Sequence, residues 1–115
     1  MERKIELTLR IGGKEQTFKQ DFVPFSKRID YIRLEKEVEE MAKKSGKEAT
    51  PEDYLDMQLQ FVADLFDEKE VTKETIANGL DSLDVDKIWQ IIRYRVLGFL
   101  KEDDEAAKKA MAEEI

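Results

Sequence analysis

The feature that most restricts the fold is a strict two-residue alternation confined to one part of the chain. Ile5, Leu7, Leu9 and Ile11 fall on one face and Glu6, Thr8 and Arg10 on the other, which is the period of a half-buried strand. Gly12-Gly13 then supplies two residues that tolerate positive φ, and Gln16-Thr17-Phe18-Lys19 resumes extended character. The pattern predicts a short hairpin turning across Gly12 to Lys14. Two strands alone are marginal in water, so the hairpin must lie on the remainder of the chain, which reads as helix. The expected class is mainly α (α+β), an N-terminal β-hairpin packed on three to four helices.

Helix punctuation is clear in several places. Pro24 disfavours helical geometry at Val23, and Ser26 is a good N-cap for a helix whose partial apolar stripe is Ile29, Ile32, Leu34 and Val38. That stripe fades into Glu35-Lys36-Glu37, Glu39-Glu40 and Lys43-Lys44, a solvated stretch ending near Ser45-Gly46. Thr50-Pro51-Glu52-Asp53 sets a cap, a first-turn proline and first-turn acids for a helix expected to run to about Phe66. Leu55, Leu59, Val62 and Phe66 make one face of it, widened by Tyr54, Met57, Phe61 and Leu65. Thr72 caps a short helix through Ile76 that stops at Asn78-Gly79, with glycine in the left-handed closing position. Asp81, Ser82 or Asp84 caps the last main helix, where Val85, Ile88, Trp89, Ile92, Val96, Leu97 and Phe99 recur near helical spacing and Trp89 is assigned to the core. Residues 1–100 form the expected domain. Residues 101–115, with Glu102, Asp103, Asp104, Glu105, Glu113 and Glu114 against three lysines, form an acidic tail that is mobile or partly helical.

Composition bears on function mainly by exclusion. The 115 residues contain no Cys and no His, which removes disulfides, thiolate sites, the usual general base and the commonest metal ligand. No cofactor, no metal and no enzymatic activity are expected. Asp81, Asp84 and Asp86 fail as a calcium loop, because Asp86 stands where the loop needs glycine and Ile92 where it needs glutamate. Gly12-Gly13-Lys14 is too short for a phosphate loop. Asp103-Asp104 keeps the tail solvated. No apolar run approaches a membrane span and residues 1–6 lack a signal-peptide core, so the expected setting is a cytoplasm. Lys87, Arg93 and Arg95 near Trp89 and Tyr94 combine the ingredients of nucleic-acid binding, but a net charge of −7 and the core-like Ile91, Ile92 and Val96 argue against it. Phe18, Phe22 and Phe25 either pack the hairpin on the helices or form an exposed aromatic patch that receives an apolar segment of another protein. The wide face from Tyr54 to Phe66 is a second such surface.

Taken in order, these features carry a resemblance. The strand with its Gly12-Gly13-Lys14 turn, Gln16-Thr17-Phe18-Lys19-Gln20-Asp21-Phe22-Val23-Pro24, a charged helix, Gln60-Phe61-Val62-Ala63-Asp64-Leu65-Phe66, Val71-Thr72 and Asn78-Gly79-Leu80-Asp81 resemble the tail assembly chaperones of long-tailed phages (siphophages), over roughly Ile5 to Leu100. The resemblance implies a non-catalytic helper that binds and solubilises the tape measure protein in the host cytoplasm while the tail tube assembles, and that is absent from the mature virion. It also implies a frameshift-extended form that recruits tail tube protein, with Lys108-Lys109 at the place where a slippery codon run would lie, and it suits homo-oligomers. Phe22, Phe25, Phe61, Leu65 and Phe66 are the candidate residues for client or self-association surfaces. Two other readings stay open: a small regulatory or nucleic-acid-associated protein using Lys87, Arg93 and Arg95, and a structural connector of the tail.

Overall fold

The computed structural model describes residues 3–113. Strands β1 (Ile5–Ile11) and β2 (Lys14–Gln20) pair antiparallel, with Ile5 opposite Gln20 and Ile11 opposite Lys14. The two-residue connection is Gly12 at φ +60° and Gly13 at φ +80°, a double positive-φ turn that matches the strand twist and that side chains with a Cβ resist. Ile5, Leu7 and Leu9 are buried, as the alternation requires, and Phe18 opposite Leu7 is the only buried residue of β2. On the outer face Thr8 and Thr17 share a hydroxyl hydrogen bond of 2.9 Å.

Helices α1 (Ser26–Lys44), α2 (Pro51–Ala63) and α3 (Lys73–Gly79) follow. A 3₁₀ turn at Ser82–Asp84 leads into α4 (Val85–Gln90), which widens into a π-helical segment over Ile91–Val96, and α5 spans Lys101–Glu113. Mainly helical α+β, with the hairpin at the N-terminal side, is the observed class. The core gathers Ile5, Leu7, Leu9 and Phe18 from the hairpin, Tyr31 from α1, Phe61, Val62, Ala63, Leu65 and Phe66 around the end of α2, Val71 and Ile76, and Ile88, Ile91, Ile92 and Val96.

Local punctuation acts as read at Thr50 and Thr72, while Asp81 caps the 3₁₀ turn ahead of α4 rather than the helix itself, which has no side-chain cap. Thr50 Oγ1 accepts from the Asp53 N–H while Asp53 Oδ2 accepts from the Thr50 N–H, a reciprocal capping box. Thr72 and Thr75 repeat it at α3, and Asp81 Oδ1 accepts from the Leu83 N–H.

Elsewhere the structure corrects the reading. Ser26 is not a cap: Phe25 already has helical geometry, and the first turn closes through Lys27 N–H to Pro24 O and Arg28 N–H to Phe25 O. The inward face of α1 is Tyr31, Leu34, Glu35, Val38 and Ala42, so Ile32 and Ile29, about 100° and about 160° round the helix from Tyr31, stay outside. Tyr31 wins the core because its ring packs edge-on to Phe61 at 5.1 Å while its hydroxyl accepts from Gln58 Nε2. Burial raises its pKa. Helix α2 ends at Ala63, three residues before Phe66, and Leu65 and Phe66 reach the core from tight turns.

Gly79 does not close α3 left-handed. A Cβ there would lie 2.8 Å from the Arg10 carbonyl oxygen and 3.2 Å from Leu9 Cβ, so its glycine permits α3 to lie directly on β1. Trp89, assigned from sequence to the core, is 39% exposed, because Ile88, Ile91, Ile92 and Val96 fill the inner face instead. The π geometry, with Leu97 N–H donating to Ile92 O at 2.8 Å, allows adjacent Ile91 and Ile92 both to turn inward. The segment read as an acidic tail is helical over Lys101–Glu113 and is joined to the body by a bidentate pair, Arg93 to Asp104, at 2.7 and 2.8 Å. The part of that expectation concerning Glu114 and residue 115 lies outside the described residues.

Candidate functional site

Among the five candidate residues, the structure separates two from three. Phe61, Leu65 and Phe66 are buried in the core, with Phe61 also bordering a cleft of about 270 Å³ between α1 and the end of α2. Phe22 and Phe25 are 72% and 69% exposed. The backbone explains the arrangement. Between them Val23 turns inward against the core, and Pro24 keeps the segment from joining the helix early, so the two rings on either side face out.

That segment is held in place. Gln20 Nε2 donates to Phe22 O at 3.0 Å, and Gln20 Oε1 accepts from the Asp67 N–H at 3.3 Å. From the other side, the Arg95 guanidinium donates to Asp21 O at 2.7 Å. The Arg28 guanidinium lies 5.1 Å over the Phe25 ring and donates through Nε to Val96 O at 3.0 Å, a cation–π contact on one ring face. The rings are therefore presented on an ordered backbone.

Sequence reading missed what continues the patch. Phe25, Ile29 and Ile32 stand at i, i+4 and i+7, one face of α1, and the two isoleucines are 49% and 52% exposed. Their spacing is visible in the sequence as part of the partial apolar stripe of α1, but spacing alone does not say which side of the helix meets the core. Phe25, Ile29 and Ile32 form an apolar ridge along α1, and Phe22 stands exposed three residues before it, on a chain that is 41% charged.

A second surface lies around the start of β1, the π segment and the turn into α5, where a groove of about 680 Å³ opens. Phe99 and Leu100, 50% and 43% exposed, give it apolar surface over the buried Ile5 and Ile91; Arg3, Lys4, Arg28, Lys87, Arg95 and Lys101 stand around it against only Glu6 and Glu102. Of the basic residues proposed for nucleic acid, only Arg93 is paired with a carboxylate; Arg95 is held by neutral backbone carbonyls and Lys87 is exposed. Arg93 is paired with Asp104 and stacked 4.3 Å over Phe99, and Arg95 donates to the carbonyls of Arg3 and Asp21. The Arg93 guanidinium first, then Tyr94, hold the Asp104 carboxyl down to about 2.

Among the described residues no group of three or more acidic residues could hold a metal ion, and no helix is long and apolar enough to cross a membrane. No curated protein and no solved structure matches the chain. A family model does: the one described as phage tail chaperone protein matches residues 2–114, which is nearly the whole sequence, and the chain belongs to that family.

Proposed function

We propose that this phage tail chaperone binds and solubilises the tape measure protein in the host cytoplasm during tail tube assembly, acting by stoichiometric binding without catalysis. The observation that carries the reading is the exposed ridge of Phe25, Ile29 and Ile32, with Phe22 exposed just before it, on an acidic, highly charged chain. An apolar ridge receives the apolar face of a helical client, and a net charge of −7 keeps the complex dispersed. The protein leaves before the virion is complete, and a frameshift-extended form brings in tail tube protein.

Co-expression with a tape-measure fragment tests the first part. The fragment moves to the soluble fraction with this chain and pellets without it; equal insolubility in both cases refutes the client assignment. Purified virions test the second, since recovery of this chain from them in stoichiometric amount identifies a structural connector instead. The gene's nucleotide sequence around Lys108-Lys109 tests the extended form, which has no basis if a slippery run is missing there.

A further inference from the structure

The groove carries a local charge opposite to that of the chain. Six cations face two carboxylates there, on a molecule whose net charge is −7. Glu6, one of the two acids, already pairs with Lys19. None of the six cations has a carboxylate partner within 4.0 Å among the described residues. Arg28 and Arg95 are hydrogen-bonded, but to the neutral carbonyls of Val96, Arg3 and Asp21, which fixes the guanidiniums without neutralising them. Gly98, at φ +80°, makes room for one of them: a Cβ there would lie 2.5 Å from an Arg28 guanidinium nitrogen. Two held guanidiniums among unpaired cations, beside exposed apolar surface, make a partly preorganised recognition surface.

We infer that this groove docks a short segment of another protein in which carboxylates flank an aliphatic or aromatic anchor. Its volume lies in the ~300–1,000 Å³ range of binding pockets, enough for an anchor and its neighbours. The charge is felt locally. With a Debye length of about 8–10 Å at ordinary salt and a molecule 47 × 40 × 28 Å across, acids on distant faces do not cancel it. An extended polyanion fits less well, because beyond the groove it meets the acidic remainder, and Phe99 and Leu100 offer nothing to phosphate. A second copy of this chain brings a further −7. The groove shares Arg28 with the client ridge on α1, but the inference does not require the tape measure assignment.

The test uses the full chain and a fluorescent 14-residue peptide with Leu at i, i+3, i+4 and i+7 and Glu elsewhere, read by anisotropy. This peptide binds, more weakly as salt rises, and its Gln-for-Glu and Ser-for-Leu versions each bind about 10-fold or more weakly. Lys87→Glu with Lys101→Glu, both on exposed residues, loses binding by a similar factor; Lys87→Gln with Lys101→Gln loses part of it and guards against a folding defect. Ile32→Ser leaves peptide binding unchanged, so failure at the ridge and failure at the groove read separately. The inference is overturned by no binding of the Glu/Leu peptide, by equal binding of the Gln version, or by charge-reversed chains that bind as the wild type does. It is also overturned if a single-stranded oligonucleotide binds more tightly than the peptide. A wild-type dimer in sedimentation velocity that the charge-reversed chain loses overturns it as well, since the occupant is then a second copy.

Discussion

Replacing Phe22 and Phe25 together by Ser separates binding from folding. Fully burying a Phe side chain stabilises by about 1.5–3 kcal/mol. With 72% and 69% of these rings open in the free protein, client contact gains roughly 1–2 kcal/mol at each. The pair then accounts for about 2–4 kcal/mol, a rise in Kd of roughly 30- to 1,000-fold. Folding loses little: exposed substitutions usually shift stability by about 0.5 kcal/mol or less, with a similar amount for the Arg28 contact over Phe25. Phe61→Ala is the opposite control. That ring is buried and packs edge-on to Tyr31, so its truncation costs about 3–5 kcal/mol of folding free energy. The assay is soluble yield of a co-expressed tape-measure fragment, paired with urea unfolding of each purified variant. The double Ser variant unfolds near the wild-type midpoint and leaves the fragment in the pellet. Full solubilisation by that variant refutes the ridge as the client surface, and a collapse of its stability refutes the claim that these rings lie outside the core.

Other sites give further tests. Gly79→Ala drives a methyl into the Arg10 carbonyl and Leu9 and should destabilise by about 1–3 kcal/mol; an unchanged urea midpoint means that α3 does not lie on β1. Trp89 is the only tryptophan and is partly exposed, so its fluorescence is quenched readily by acrylamide in the native state, and a blue-shifted, protected emission contradicts the placement. Asp104 has its pKa lowered by Arg93 and then Tyr94 to about 2. The unfolded carboxyl titrates near its ordinary ~3.9. The stabilisation is therefore complete above that value and lost as pH falls through about 2. A carboxyl NMR titration of Asp104 with a midpoint near 4 rules out the Arg93 pair.

What could be read from sequence divides along physical lines. The hairpin and the caps at Thr50 and Thr72 are local: alternation, a Gly-Gly pair and a hydroxyl three residues before its partner act within a few residues. The buried side of a helix is decided by its neighbours. Tyr31 beat Ile29 and Ile32 for the core of α1 because Phe61 and Gln58 stood across from it, and a single strand of sequence does not say what stands across. Trp89 failed for a related reason. The π segment rotates the later part of the helix relative to a 3.6-residue repeat, so Ile91 and Ile92 both enter the core and the tryptophan beside them is left partly outside. Of the candidate residues, Phe22 and Phe25 lie outside because Pro24 marks the break between strand and helix, while Phe61, Leu65 and Phe66 enter the core at the C-terminal end of a wide face whose start, at Leu55, stays 37% exposed.

The way the 21–25 segment is anchored has an energetic consequence for binding. A mobile loop that carries two rings loses backbone and rotamer freedom on contact, about 0.5–1.5 kcal/mol for each ordered side chain before the backbone is counted. Here Gln20, Arg95 and Val23 hold the backbone from three directions, and Arg28 covers one face of Phe25, so much of that loss is incurred during folding. The anchors also tie the ridge to the groove: Arg28 touches Phe25 on one side and Gly98 on the other, and Arg95 bridges the segment to Arg3. Arg28→Ala should therefore weaken client binding while Phe22 and Phe25 remain in the sequence, and it should weaken the acidic peptide at the groove as well. Arg28→Lys keeps the charge but loses the planar contact and the Nε bond to Val96 O. It should restore the peptide more than the client, and equal recovery of both would show that Arg28 acts by charge alone.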